Sequence, residues 1–243
     1  MRVCPEIIRW STEKGAELVR TAVKRPRAVV IRGVLDRDLC DELARRVWAE
    51  GPTPVLVPRR SENTVSFARN KWTRRLHTPA KLLRSHGVRL LKGQARLDLS
   101  PSFEAETMMP RTLLGGHKVN AKDSAIFVTS KGLRTPLHSD ERHAVLLHVA
   151  GEKNFVVVPS ADSDVDPHLL RTLLTLRDTP GLHADLYGDE PPNHAARQVR
   201  RFQGSLAPGD ALFLPQRWLH DIESLTPTIS ISLRFGNWDA PNP

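Results

Sequence analysis

The chain has 243 residues, 40% of them hydrophobic and 26% charged, so it can bury a core and is too apolar for a disordered tail. Its net charge of +9, from 36 Lys and Arg against 27 Asp and Glu, favours anionic partners. Two cysteines, Cys4 and Cys40, make neither a disulfide framework nor a metal-ligand spacing; no apolar run is membrane-length and the opening residues lack a signal-peptide core, so a reducing cytoplasm and no membrane are expected.

In chain order, residues 12–24 carry Ala16, Leu18, Val19 and Val23 at helical spacing, and residues 28–34, AVVIRGV, read as a strand with a Gly stop. Residues 36–49 give the clearest helix, with Asp36 as N-cap and Leu39, Cys40, Leu43 and Val47 as its apolar stripe. Residues 59–96 are the most basic stretch, 11 Lys and Arg against the single acid Glu62, and 79–92 suggest another helix. Residues 1–120 hold 24 basic and 12 acidic residues (+12), whereas 121–243 hold 12 and 15 (−3). Only Phe67 and Trp72 supply aromatic rings in the basic stretch, and no zinc-finger or RNA-binding signature occurs. An Arg-rich solvated surface is the simpler reading, and nucleic acid the less favoured partner.

From about residue 121 the texture changes to short β-branched runs between Pro and Gly turns: SAIFVTS, HAVLLHV, NFVVVP, ALFLP and TISISLRF. APGD at 207–210 fits a type II turn, with Pro208 second and Gly209 third. The pattern predicts a closed or double-sheet β architecture over 121–243, preceded by a mixed α/β extension over 1–120 that packs on it as one unit. An insert at roughly 160–201, with a helix around PHLLRTLLTL and the acidic loop LYGDEPPNH, has the length of a lid or binding loop.

The stretch TPLHSD, 135–140, carries the first chemical signal. An extended backbone sets His138 and Asp140 on one face, and Pro136 favours extension at Thr135. His220, 80 residues after Asp140 in PGDALFLPQRWLHDIESL, is the best third ligand. Two imidazoles and one carboxylate on one side of a metal leave the other positions open, as at non-haem Fe(II) oxygenase centres. His143 and His148 read as strand residues, and His77, His86, His117, His168, His183 and His194 show no partner pattern.

The ordered motifs TPLHSD…HAVLLHVAGEKNFVVVP and LAPGDALFLPQRWLHDIESL…SISLRF resemble the JmjC/cupin-like family of Fe(II)- and 2-oxoglutarate-dependent oxygenases over roughly 120–236. RAVVIRGVLD is loosely similar to the family's entry strand. The resemblance implies a double-stranded β-helix (a cupin jelly roll), mainly β, with Fe(II) held by His138, Asp140 and His220. It implies 2-oxoglutarate and O2 as cosubstrates, with Lys153 at the family's position for the far carboxylate and Thr135 as a supporting hydroxyl. Lys153, Phe155 and Val157 share one strand face, as do Ser230, Ser232 and Arg234. Arg234 departs from the family's usual Asn, so Lys153 and Arg234 compete for the far carboxylate, or Arg234 meets an acidic substrate group, with Ser232 beside it.

The implied reaction hydroxylates a C–H bond and releases succinate and CO2, with a peptide, protein side chain or small amino-acid-like molecule as substrate. N-demethylation and tRNA or nucleoside hydroxylation are the alternatives within the family. A non-oxygenase cupin binding metal or nucleic acid is the alternative outside it. Arg134, Glu141 and Arg142 flank the site as candidates for its mouth. Only 23 residues follow His220, too few for the C-terminal dimerisation segment of some relatives, so a monomer or weak dimer is expected.

Overall fold

The computed structural model describes residues 2–3, 6–9, 12–25, 27–58, 72–80, 94–98, 113–114, 116–159 and 199–236. The N-terminal part runs β1 (Arg2–Val3), β2 (Glu6–Arg9), α1 (Thr12–Lys24), β3 (Val29–Arg32), α2 (Arg37–Ala49), β4 (Thr53–Pro58), β5 (Trp72–His77) and β6 (Gln94–Asp98). The strands that follow are β7 (Ala125–Thr129), β8 (Arg134–His138), β9 (His143–Ala150), β10 (Lys153–Val158), β11 (Arg201–Leu206), β12 (Ala211–Leu214), β13 (Leu219–Ser224) and β14 (Thr228–Phe235). They form a five-stranded sheet, β1-β11-β10-β13-β8, and a nine-stranded sheet, β2-β3-β12-β9-β14-β7-β6-β4-β5. This mainly β, two-sheet jelly roll is the cupin architecture expected from the sequence.

Strand alternation divides the apolar residues between two cores. Between the sheets lie Val30 of β3, Ala144 and Leu146 of β9, Leu212 and Leu214 of β12, Phe155 and Val157 of β10, and Phe202 and Leu206 of β11. On the back of the larger sheet, Ile31, Val145, Leu147, Phe213, Ile231, Leu233 and Phe235 pack with Val19 and Ala22 of α1 and Cys40, Leu43 and Val47 of α2. The sheet is therefore buried on both faces, which is why HAVLLHVA is apolar almost throughout rather than alternating.

The helices predicted at 12–24 and 36–49 form. Asp36 caps α2 by accepting from the Leu39 N–H at 2.8 Å, and the stripe of Cys40, Leu43 and Val47 is buried. The Pro208–Gly209 turn forms with Gly209 at φ 91°, and its carbonyl accepts from Val34 N at 2.7 Å and Leu35 N at 3.1 Å, docking the β3–α2 connection on the barrel. Strands β4, β5 and β6, which the sequence reading had not assigned, extend the larger sheet past β7. The helix expected at 79–92 beyond its first two residues, most of the basic stretch 59–96 and nearly all of the insert 160–201 lie outside the described residues. No helix among the described residues is long and apolar enough to cross a membrane.

Gly151 turns β9 into β10 with φ 80°, and a Cβ there would sit 2.2 Å from the Pro227 carbonyl and 2.6 Å from Thr226 Oγ1. Gly33, with φ 71°, has open space around it. Gly33→Ala is therefore expected to cost only the left-handed penalty, about 1 kcal/mol. Gly151→Ala is expected to cost at least about 3 kcal/mol, because backbone must move as well. Urea denaturation of the two variants against the wild type checks the difference.

Candidate metal centre

The sheet register determines which side chains meet. β13 lies between β10 and β8, and His220 pairs with Val157 on one side and His138 on the other. Directly opposed residues share a face, so His138, His220 and Val157 all point between the sheets. On β10 the same face carries Phe155 opposite Ile222 and Lys153 opposite Ser224. The β8–β13 register shifts between His220 and Ile222, which pairs with Thr135. This bulge matters: three residues apart, Thr135 and His138 would face opposite ways on a regular strand, and the extra residue brings both positions to the inner face.

The loop after β8 is locked to the turn before β13. Arg217 N–H donates to the Asp140 carbonyl at 2.7 Å, and Gln216 N–H donates to His143 Nδ1 at 3.1 Å. Arg217 is left-handed at φ 64°, the non-glycine exception among the described residues, and it lies three residues before His220. Trp218 is buried and stacks on Phe202 with ring centroids 5.9 Å apart. Its carbonyl lies 3.1 Å from His220 Nδ1; a carbonyl can only accept, so Nδ1 donates and Nε2 is left to face the centre.

His138, Asp140 and His220 place one ligand atom each within 4.8 Å of one another. The imidazole centroids are 4.2 Å apart, and His220 Nε2 is 3.2 Å from Asp140 Oδ2. Arg234 Nη1 presses on the same Oδ2 as an ion pair. Burial opposes ionisation of Asp140, but His220, Arg234 and His138 outweigh it and hold the carboxyl well below the usual carboxylate range. Asp140 Oδ2 is fully buried without a hydrogen bond of normal geometry. An ionised, imperfectly satisfied carboxylate oxygen between two imidazoles suits a divalent transition metal, and two nitrogens with one oxygen suit iron.

The other predicted site residues fall into two groups. Lys153 is 4% exposed and Ser232 3%, and both face the barrel interior. Lys153 makes no ion pair among the described residues, and burial pulls its ammonium down to about 8. Ser232 pairs with Leu146 and Arg234 with Ala144, both inner-face residues of β9, so the face shared by Ser230, Ser232 and Arg234 is indeed inward. The flanking residues behave differently. Arg134 is buried on the opposite face of β8, its Nε donating to both Asp221 oxygens at 2.7 and 2.8 Å, so it does not line the mouth as expected. Arg142 spends its guanidinium on Asp123 and the Gly236 carbonyl, and Glu141 is exposed.

His148 is a strand residue of β9, as expected, but its partners were not foreseen. It is fully buried on the inner face of β9, with Nδ1 3.0 Å from Ser230 Oγ and Nε2 2.8 Å from the Gly151 carbonyl. Ser224 and Thr228 form a second polar pair at 3.1 Å, completing a polar floor near Lys153. The signal existed, because a histidine inside an apolar strand must find two partners. Its partner Ser230 is 82 residues away, and only the β9–β14 pairing brings the two together.

Comparison with known proteins adds a family. Residues 77–240 match the family profile described as a cupin-like domain. The Drosophila melanogaster Jumonji C domain-containing protein 5 is 31% identical over 137 residues, 54% of this chain and 33% of that protein. The Arabidopsis thaliana lysine-specific demethylase JMJ30 is 31% identical over 107 residues, 44% of this chain and 24% of that protein. The human HSPB1-associated protein 1 is 30% identical over 118 residues, 46% of this chain and 23% of that protein. The chain thus spans a third or less of the length of these curated relatives.

Burial first, with Lys153 nearby, lowers His148 to about 3, and burial first, with His117 nearby, lowers His143 to about 4. Both lie below the unfolded value of about 6.5, so the unfolded chain binds more protons in between. Stability is full above about pH 6.5 and is lost as pH falls toward 4, each histidine contributing up to about 1.4 kcal/mol per pH unit. His148→Gln is expected to remove about half of that slope between pH 6 and 4.5, measured by denaturation at stepped pH.

Proposed function

Because the chain belongs to the cupin-like domain family, we propose that it is an Fe(II)- and 2-oxoglutarate-dependent oxygenase. It hydroxylates a C–H bond of a peptide, a protein side chain or a small amino-acid-like molecule. One observation carries this reading: the His138, Asp140 and His220 cluster opens on a barrel that also buries the Lys153 ammonium, which has no ion-pair partner among the described residues. A structural metal site needs no such cation, whereas a dianionic cosubstrate does.

His138, Asp140 and His220 would hold the metal, with Trp218 fixing the His220 ring through its carbonyl. Fe(II), when bound, supplies the O2 chemistry that couples decarboxylation of 2-oxoglutarate to oxygen insertion, yielding succinate and CO2. Lys153 takes the far carboxylate. It lies four residues along β10 from Val157, the partner of His220, about 13 Å of strand. That span accommodates a lysine side chain and a five-carbon diacid end to end. Arg234, engaged at Asp140, lies at the metal end, which favours Lys153 over Arg234 for the far carboxylate. The Thr135 and Ser232 hydroxyls supply further donors. Phe155, Val157, Leu146 and Ile222 exclude water, which strengthens the ammonium–carboxylate attraction.

N-demethylation is the second reading, carried by the name of the Arabidopsis relative, a lysine-specific demethylase. Hydroxylation of an N-methyl carbon collapses to formaldehyde, so formaldehyde release separates the two.

Anaerobically purified protein given Fe(II), 2-oxoglutarate and O2 is expected to form succinate, and Asp140→Ala to form at least about 100-fold less. Absence of succinate together with absence of 2-oxoglutarate binding would sink the reading. The Lys153 ammonium also predicts a pH dependence. With the free site near 8, binding above that pH must take up a proton, so the 2-oxoglutarate Kd should rise about tenfold per unit from pH 8 to 10. The neighbouring groups are His148, neutral in this range, Asp140, ionised throughout it, and the guanidinium of Arg234 paired with Asp140. Lys153→Met should flatten the profile at a weak Kd.

A further inference from the structure

We propose that Arg234 forms a second carboxylate-binding subsite beside the metal centre, separate from Lys153, and that the substrate carries a carboxylate that occupies it. The inference rests on the oxygenase reading and names the substrate class for the same site.

Three observations carry it. The first is charge. Among the described side chains on barrel-facing positions that are not solvent-exposed, the charges are Lys153, Arg234 and Asp140, while Arg32 and Asp210 neutralise each other. A divalent ion added to two cations and one carboxylate leaves three positive charges, with the imidazoles neutral. A 2-oxoglutarate dianion removes two. Counted over the described residues, one positive charge remains beside the metal centre, where a largely buried charge without a counter-charge is costly.

The second is position. Arg234 is not a surface residue that happens to reach inward: its side chain is 15% exposed and meets Asp140 Oδ2. Its backbone is fixed independently, with Arg234 N–H donating to Ser124 Oγ at 2.9 Å and Asn120 N–H donating to the Arg234 carbonyl at 2.7 Å. The guanidinium therefore occupies the metal end of the pocket by construction of β14.

The third is competition. The oxygen that Arg234 covers is the one that also faces His220 Nε2, so a metal ion and Arg234 seek the same atom. Arg234 Nη1 is buried there without a hydrogen bond of normal geometry. Metal entry displaces the guanidinium from Oδ2 and leaves a buried planar cation beside the metal. Its fork of donors matches a carboxylate. A carboxylate that draws Arg234 away frees Asp140 for metal, so metal and carboxylate bind with positive coupling.

The test is calorimetric titration of Mn(II) into anaerobic metal-free protein, with and without acetate, a monocarboxylate too short to reach Lys153 from the metal end. Wild type should bind Mn(II) about tenfold more tightly with saturating acetate, and Lys153→Met should behave alike. Arg234→Gln should bind Mn(II) with an affinity that acetate does not change, its fold verified by thermal melting. An acetate effect that survives in Arg234→Gln, or one that vanishes in Lys153→Met, overturns the proposal. Repeating the titration with 2-oxoglutarate separates the sources of the carboxylate. An enhancement retained in Arg234→Gln assigns the subsite to the substrate; its loss there assigns Arg234 to the cosubstrate and overturns the substrate claim. Mn(II) binding that Asp140→Ala abolishes upholds the metal centre whatever acetate does, whereas wild type that binds no Mn(II) removes the oxygenase reading itself.

Discussion

The pairing of β13 with β8 on one side and β10 on the other is the constraint on which the site depends. It sets His220 opposite His138 and Val157, and the register shift toward Ile222 turns Thr135 to the same face. A slip of one residue would send His220 to the outer face and bring Asp221 in, exchanging an imidazole for a carboxylate already committed to Arg134. The buried Arg134–Asp221 pair opposes such a slip. Losing either member would break a buried ion pair, which costs several kcal/mol.

Around that register the barrel is built as a gradient of polarity. One end holds the ligand cluster and Arg234, and the other holds Lys153 above the polar floor of His148, Ser230, Ser224 and Thr228. Apolar Phe155, Val157 and Leu146 separate the two. Apolar packing between the two ends lowers the local dielectric, so the charge at each end keeps its field. His148 must stay neutral for this to hold. Burial and the adjacent Lys153 ensure that, at the cost of stability in acid.

The left-handed Arg217 is the local counterpart of the same design. Its N–H reaches the Asp140 carbonyl only because the turn adopts this conformation, and the bond ties the two ligand-bearing segments to each other. Asp140 and His220, 80 residues apart, are thus brought together by backbone.

Much of this was legible in the chain itself. The His138-Ser139-Asp140 spacing, the Pro208–Gly209 turn, the helices at 12–24 and 36–49 and the face shared by Ser230, Ser232 and Arg234 are local properties. Period and turn chemistry act over a few residues and do not depend on what lies across the sheet. The flanking positions were misjudged for the opposite reason. Arg134 sits two residues before the Pro136-Leu137-His138 run, yet its role is decided by Asp221, which the β8–β13 pairing brings to its own face. His148 found Ser230, and Arg234 found Asp140, by the same route. The sequence by itself determined which residues have ligand chemistry and, on regular strands, which of them share a face, because alternation is intrinsic to an extended chain. Only the tertiary structure decided which faces meet and which charges are paired, because strand register is a long-range property.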